Sequence, residues 1–221
     1  MDTISIDCDG LEQTQAVGRS LARVVAVGDV VLLDGELGSG KTTLIRALCA
    51  ELGVDEALVS SPTFVIAHEY DGPTPVAHLD AYRLGGDDPE ELELLGWDRF
   101  APRSVVLIEW GARIADVVGD LVHQPPARIE IVPTGAESRR MTVAAPPAWI
   151  KRAGWGGLAS MNVPKGRTDT VCRVTGRPVR ANNPAWPFAD ERARMADLYK
   201  WFAEDYTVSR PVEYNDLEET E

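Results

Sequence analysis

Three cysteines, three histidines and four methionines are all that this chain of 221 residues offers of the softer metal-binding side chains. Cys8, Cys49 and Cys172 are odd in number and far apart, which argues against a disulfide framework and predicts a reducing, cytoplasmic setting. His68, His78 and His123 show no metal-ligand spacing, and each reads as a surface or hydrogen-bonding histidine rather than a ligand. No stretch approaches about 18 uninterrupted apolar residues, so no membrane contact is predicted. The opening Met1–Asp7 is acidic and lacks the basic-then-apolar layout of a signal peptide. Basic charge is also scarce where the chain is longest. Residues 1–150 hold 11 Lys/Arg against 24 Asp/Glu, so the whole net charge of −13 resides there. That balance speaks against direct, non-specific nucleic-acid binding by this part. Residues 151–221 carry 11 of each sign and are neutral overall.

What the chain does have is a hydrophobic content of 44%, enough for a real core, and one dense motif. The apolar run Val30–Leu33 leads into Asp34-Gly35-Glu36-Leu37-Gly38-Ser39-Gly40-Lys41-Thr42-Thr43, and a helical pattern follows at once. Strand, G-x-x-x-x-G-K-T and helix, in that order, form the phosphate-binding P-loop. Gly35 and Gly40 let the backbone turn where a side chain would clash, so that successive N–H groups face one concavity. The helix opening near Lys41 adds its positive end. Residues 35–43 are therefore the predicted nucleotide cradle, with Lys41 on the β- and γ-phosphates and the Thr42 hydroxyl on Mg²⁺.

Hydrolysis also needs groups that hold the metal and orient water. Asp80 stands near the end of a strand over Val76–Ala81, and Glu109 closes the strongly apolar Ser104–Trp110. In open α/β sheets ligands bind beyond the carboxyl ends of the strands, where both acids emerge. A carboxylate after four apolar residues also has the form of a Walker B acid. The Ser60-Ser61-Pro62-Thr63 loop offers hydroxyls able to sense a γ-phosphate, and Trp110 could pack near the nucleotide or in the core.

The remaining pattern predicts an α/β fold: a P-loop NTPase-type sheet flanked by helices, with a small C-terminal appendage containing one helix. Strands are read at 2–8, 30–34, 63–68, 76–81, 104–110, 127–133 and 140–145. A helix runs from Asp9-Gly10-Leu11-Glu12 to near Gly28, with Leu11, Val17, Leu21, Val24 and Val25 on its apolar face. Others cover Lys41–Leu52 and the stretch from Asp88-Pro89 to Gly96. The expected organisation is a P-loop domain over 1–147, a linker over 148–167, an appendage over 168–212 and an acidic tail over 213–221. The appendage has one clear helix, Asp190–Tyr206.

Four ordered motifs resemble the TsaE (YjeE) family: the P-loop at 35–43, Ser61-Pro62-Thr63-Phe64, His78-Leu79-Asp80-Ala81-Tyr82-Arg83-Leu84 and Ile108-Glu109-Trp110. The resemblance spans about residues 10–145. It implies a small α/β ATPase, binding ATP and Mg²⁺, that assists tRNA threonylcarbamoyladenosine synthesis with TsaD and TsaB. It meets tRNA only through that complex, and its hydrolysis is weak without partners. Carried over by position, Lys41 and the loop amides bind phosphate, Thr42 ligates Mg²⁺, and Asp80 and Glu109 serve the metal and the attacking water. Glu109 is expected closer to the metal and Asp80 closer to the water. Ala81 replaces a usual Leu, and Gly111 stands where the family commonly has Pro. A P-loop kinase acting on a small molecule and a nucleotide-binding adaptor without turnover are the alternatives. No Arg-rich lid is present to favour the kinase.

Residues 168–208 resemble the zinc protein YacG, described as an inhibitor of DNA gyrase, in a degraded form. That family uses two cysteine pairs; here Cys172 matches, while Thr175, Ala189 and Ala193 occupy the other three positions. One thiolate cannot hold structural zinc, so no zinc is expected and little supports a gyrase contact. A plain helix-containing appendage is the alternative. Its apolar set is Trp186, Phe188, Leu198 and Trp201.

Overall fold

A computed structural model describes residues 2–62, 66–85, 88–161, 167, 169–181, 183 and 185–202. The chain divides into two compact units, Met1–Lys165 and Gly166–Glu221. The first is built on β1 (Asp2–Asp9), α1 (Leu11–Ala22), β2 (Val30–Gly35), α2 (Lys41–Glu51), β3 (Ala67–Tyr70), β4 (Val76–Asp80), α3 (Pro89–Leu94), α4 (Trp97–Phe100), β5 (Val105–Glu109), α5 (Ala115–Leu121), β6 (Ala127–Pro133) and β7 (Ser138–Ala145), followed by α6 (Pro147–Ile150) and α7 (Trp155–Ala159).

The seven strands form one sheet in the order β1-β7-β6-β2-β5-β4-β3. β6, β2, β5 and β4 run parallel, and antiparallel strands flank them at both ends. Val30–Leu33 of β2 and Val105–Ile108 of β5 are apolar at every position because they are covered on both faces. Successive side chains alternate between faces. Val31, Leu33, Val105 and Leu107 join a core with α1, α2, β1 and β7, while Val30, Leu32, Val106 and Ile108 join a second core with α3, α4 and α5. β6 shows the complementary pattern, its Ala127, Ile129 and Ile131 buried and the residues between them exposed.

All seven strands read from the sequence are present, although the one read at 63–68 is Ala67–Tyr70, with residues 63–65 outside the described set. α1 is shorter than predicted. It ends at Ala22 because Val24 and Val25 both donate to the Leu21 carbonyl and turn the chain. Leu11, read as part of the helix's apolar face, is exposed. The helix start is closed by Gln13, whose Oε1 accepts from Asp9 N–H at 2.7 Å.

The segment read as a linker from residue 148 behaves differently. α6 and α7 belong to the first unit, with Trp149, Trp155 and Leu158 buried in its main core. Trp149 Nε1 donates to Asp29 Oδ2 at 3.0 Å, and Arg152 pairs with the same carboxylate. The proline pair and glycine cluster that suggested a linker mark tight helix starts instead.

The second unit contains a two-stranded hairpin, β8 (Thr170–Val171) and β9 (Pro178–Val179), and α8 (Glu191–Phe202). Its core gathers Cys172, Val179, Ala185, Phe188 and Ala193, with Trp186 packed against them. Arg173 pairs with Asp197, and Arg177 with Asp190. Burial pushes the Cys172 thiol up, but hydrogen bonds from the Thr175 hydroxyl and from the Ala189, Thr175 and Val174 backbone outweigh it, leaving a pKa of about 7. The side chains of Leu198 and Trp201 and the acidic tail at 213–221 lie outside the described residues.

Candidate functional site

β2 ends in the P-loop, and α2 begins at its far side with Gly40 in the left-handed region as N-cap. Gly35 is also left-handed, and a Cβ there would lie 2.5 Å from the Ile131 carbonyl oxygen and 2.7 Å from Ser39 Oγ. No other residue would fit between the loop and β6. Asp34 Oδ1 accepts from Ala112 N–H at 2.9 Å, tying the start of the loop to the turn after β5. That turn presses on β2: a Cβ at Gly111 would lie 2.6 Å from Leu32 Cβ.

One cavity of about 540 Å³ opens over the loop and unites Lys41, Thr42, Thr43, Asp80 and Glu109. Gly38, Gly40, Leu37, Ser61, Tyr82 and Trp110 complete its walls. Most of the predicted site is thus brought together. Leu37 stands at the loop tip almost fully exposed. Ser39 is buried, its Oγ lacking a hydrogen-bond partner among the described residues. Gly35 and Glu36 act through their backbone: Lys41 Nζ donates to the Gly35 carbonyl at 2.8 Å and the Glu36 carbonyl at 3.1 Å. Thr63 and Phe64 lie outside the described residues.

Lys41 Nζ also stands 4.0 Å from the centroid of the Trp110 ring, a cation–π contact. Trp110 reaches that place from a left-handed backbone, φ 58°, which costs a non-glycine residue about 1–3 kcal/mol. Tyr82 packs beside it, centroids 5.3 Å apart. Burial lowers the Lys41 pKa from its ordinary value, against upward pulls from Glu109, Asp80 and Asp34.

The two strand-end acids occupy equivalent positions. Asp80 ends β4, Glu109 ends β5, and the two are register partners on these parallel strands. Thr42 Oγ1 donates to Glu109 Oε1 at 2.7 Å. Asp80 accepts from Ser61 Oγ at 3.1 Å and from Tyr82 N–H at 3.0 Å. The loop before β3 closes on the same point, since Asp80 N–H donates to the Ile66 carbonyl at 2.9 Å. Hydroxyl and carboxylate oxygens are the donors that suit a hard cation such as Mg²⁺. Among the described residues no cluster of three His, Cys, Asp or Glu side chains forms a cage.

Sequence reasoning took His78 for a surface or hydrogen-bonding histidine without naming its partner, and gave Tyr82 no role. His78 is fully buried, and its Nε2 lies 3.1 Å from Glu109 Oε1. A carboxylate only accepts, so Nε2–H is the donor. The signal was available: a histidine within an otherwise aliphatic buried strand, two residues before a candidate acid.

The family described as "Threonylcarbamoyl adenosine biosynthesis protein TsaE" matches residues 8–141. A Streptomyces coelicolor protein named tRNA threonylcarbamoyladenosine biosynthesis protein TsaE is 44% identical over 134 residues, covering 58% of this chain and 86% of that one. A Bacillus subtilis protein of the same name is 37% identical over 136 residues, covering 61% and 80%. The crystal structure of Bacillus subtilis YdiB superposes with a TM-score of 0.50 at 29% identity, over 65% of this chain and 86% of that one. The comparisons lend no support to the resemblance of residues 168–208 to YacG. Among the described residues no helix is long and apolar enough to cross a membrane.

Proposed function

The chain belongs to the TsaE family, and from that premise we propose that it is a Mg²⁺-dependent ATPase serving tRNA threonylcarbamoyladenosine synthesis alongside TsaB- and TsaD-type partners. The observation that carries the reading is the direct contact between Thr42 and Glu109 inside a cavity walled by the phosphate loop. It sets the loop hydroxyl and the strand-end carboxylate side by side, where a metal-bound phosphate chain needs both.

The residues divide the task. Backbone N–H groups of 38–43 and the positive end of α2 receive the phosphates. Lys41 exchanges its two carbonyl partners for phosphate oxygens. Thr42 and Glu109 would hold Mg²⁺, which when bound would neutralise charge on the transferred phosphoryl group. Asp80, fixed by the Ser61 hydroxyl and the Tyr82 amide, is placed to orient the attacking water. Trp110 and Tyr82 screen the chamber from solvent. The ATPase unit extends through α7, and residues 166–221 form a separate appendage.

The test is ATP hydrolysis by the full chain with and without purified TsaB and TsaD. Stimulation by the partners, abolished by Lys41→Ala, is the expected result. Phosphate transfer to a metabolite, or tight ATP binding with no turnover in any mixture, would overturn it.

A further inference from the structure

We propose that His78 is a positioning residue that holds the Glu109 carboxylate in its metal-facing orientation while Thr42 is engaged with nucleotide. The inference rests on the preceding reading of Glu109 and goes beyond it to a side chain that touches neither phosphate nor metal.

β4 is buried along its whole length, and Val76, Ala77 and Leu79 are what such a strand calls for. His78 interrupts it with two ring nitrogens. One, Nε2, donates to Glu109 Oε1 at 3.1 Å. The other, Nδ1, is buried without a hydrogen-bond partner among the described residues. A buried orphan acceptor is a cost that an aliphatic side chain would remove. Packing alone therefore gives no reason for an imidazole here, whereas orienting Glu109 does.

Glu109 Oε1 receives two donors, the Thr42 hydroxyl and the His78 ring. The two are not equivalent. Thr42 lines the cavity and is the group that metal and phosphate recruit. His78 is closed off from the cavity, and its ring packs beside Tyr70, centroids 6.4 Å apart. The imidazole alone stays with Glu109 when the hydroxyl turns to the ligand. Loss of a partner that orients a metal-binding carboxylate characteristically costs about 10- to 100-fold in metal affinity or activity.

The experiment measures the affinity of the full chain for a non-hydrolysable ATP analogue with and without Mg²⁺, by calorimetry, so that turnover is not required. His78→Leu should fold with a Tm at or above that of the wild type and bind the analogue normally without Mg²⁺. It should lose about tenfold or more of the affinity gained on adding Mg²⁺. His78→Gln, which returns an N–H near the same position, should recover most of that gain. In a Glu109→Gln background, His78→Leu should change nothing further. Should His78→Leu fail to fold, His78→Phe, which keeps a ring in the strand and removes both nitrogens, supplies the same comparison. A His78→Leu variant with an undiminished Mg²⁺ gain would overturn the proposal, as would equal losses in the Leu and Gln variants. Lys41→Ala, run in parallel, weakens binding with and without Mg²⁺. If it does not, the nucleotide-site reading itself has failed rather than the role of His78.

Discussion

Thr42 Oγ1 and Glu109 Oε1 are hydrogen-bonded at 2.7 Å across 67 residues of sequence. One sits on the first turn of the P-loop helix and the other on the last residue of β5. The pair exists because β5 lies directly beside β2 in the sheet, with Leu33 and Glu109 in register. Removing the charge while keeping the shape isolates its contribution. Glu109→Gln should lose about tenfold or more of the ATP affinity gained on adding Mg²⁺ and hydrolyse ATP about 100-fold more slowly, the scale of losing one preorganised electrostatic group. Single-turnover hydrolysis beside equilibrium binding would check this; a rate within a few-fold of the wild type would remove Glu109 from the mechanism.

Asp80 makes a different prediction. Its two oxygens are taken by Ser61 Oγ and the Tyr82 amide, so the carboxylate is rigid before any ligand arrives. Asp80→Asn should leave Mg²⁺-dependent binding in place and slow hydrolysis, with Ser61→Ala a weaker version of the same defect. Equal damage to metal binding in Asp80→Asn and Glu109→Gln would show that the two acids share the metal instead of dividing the work.

Lys41 is held by two backbone carbonyls and a tryptophan face, all of which phosphate must replace. A charge-assisted contact with phosphate is worth enough that Lys41→Ala should weaken ATP binding about 10- to 100-fold. The melting temperature should hold or rise, because the ammonium is buried at some cost. Unchanged affinity by calorimetry would place the phosphates elsewhere.

The chemistry of this site was legible because it is written locally. The loop glycines, Lys41 and Thr42 are adjacent in sequence, and Asp80 and Glu109 each terminate an apolar run whose end must point to the ligand side of a parallel sheet. What escaped was set by cross-strand packing. Nothing local says that His78 on β4 reaches Glu109 on β5; that follows only from their places on paired strands. Trp110 could be read as core or site until its left-handed backbone and its place over Lys41 were seen. Pro146-Pro147 and the glycines at 154, 156 and 157 resembled a linker because breakers mark helix starts as well as loops. Only the burial of Trp149 and Trp155 distinguishes the two.

That burial predicts a boundary experiment. Trp149 is wholly enclosed in the first unit's core, with its indole N–H on Asp29. Trp149→Ala should cost about 3–5 kcal/mol, the usual range for emptying a large core side chain. That lowers Tm by about 6–20 °C in a unit of this size. Truncation after residue 146 should be at least as damaging, whereas truncation after residue 161 should not. Thermal melts of the three variants decide it. A 1–146 fragment as stable as 1–161 would return α6 and α7 to the status of a linker.

The three thiols should separate by pH. Burial pushes Cys49 up to about 12 and raises Cys8, while the hydrogen bonds around Cys172 bring it to about 7. Between about pH 7 and the ordinary thiol value of 9.0, folded Cys172 has shed its proton and the unfolded chain has not. The unfolded state binds more protons in that window, so the second unit gains stability as pH rises from 7 to 9 and loses it as pH falls through 7. Cys172→Ser should flatten this slope without touching the first unit. Ultraviolet absorbance of the thiolate supplies an independent readout: the folded chain should gain one thiolate per molecule near pH 7, a step missing from Cys172→Ser, while Cys8 and Cys49 titrate higher. A thiolate that appears only near pH 9 would mean that the Thr175 hydroxyl and the Ala189 amide do not stabilise it in the folded unit.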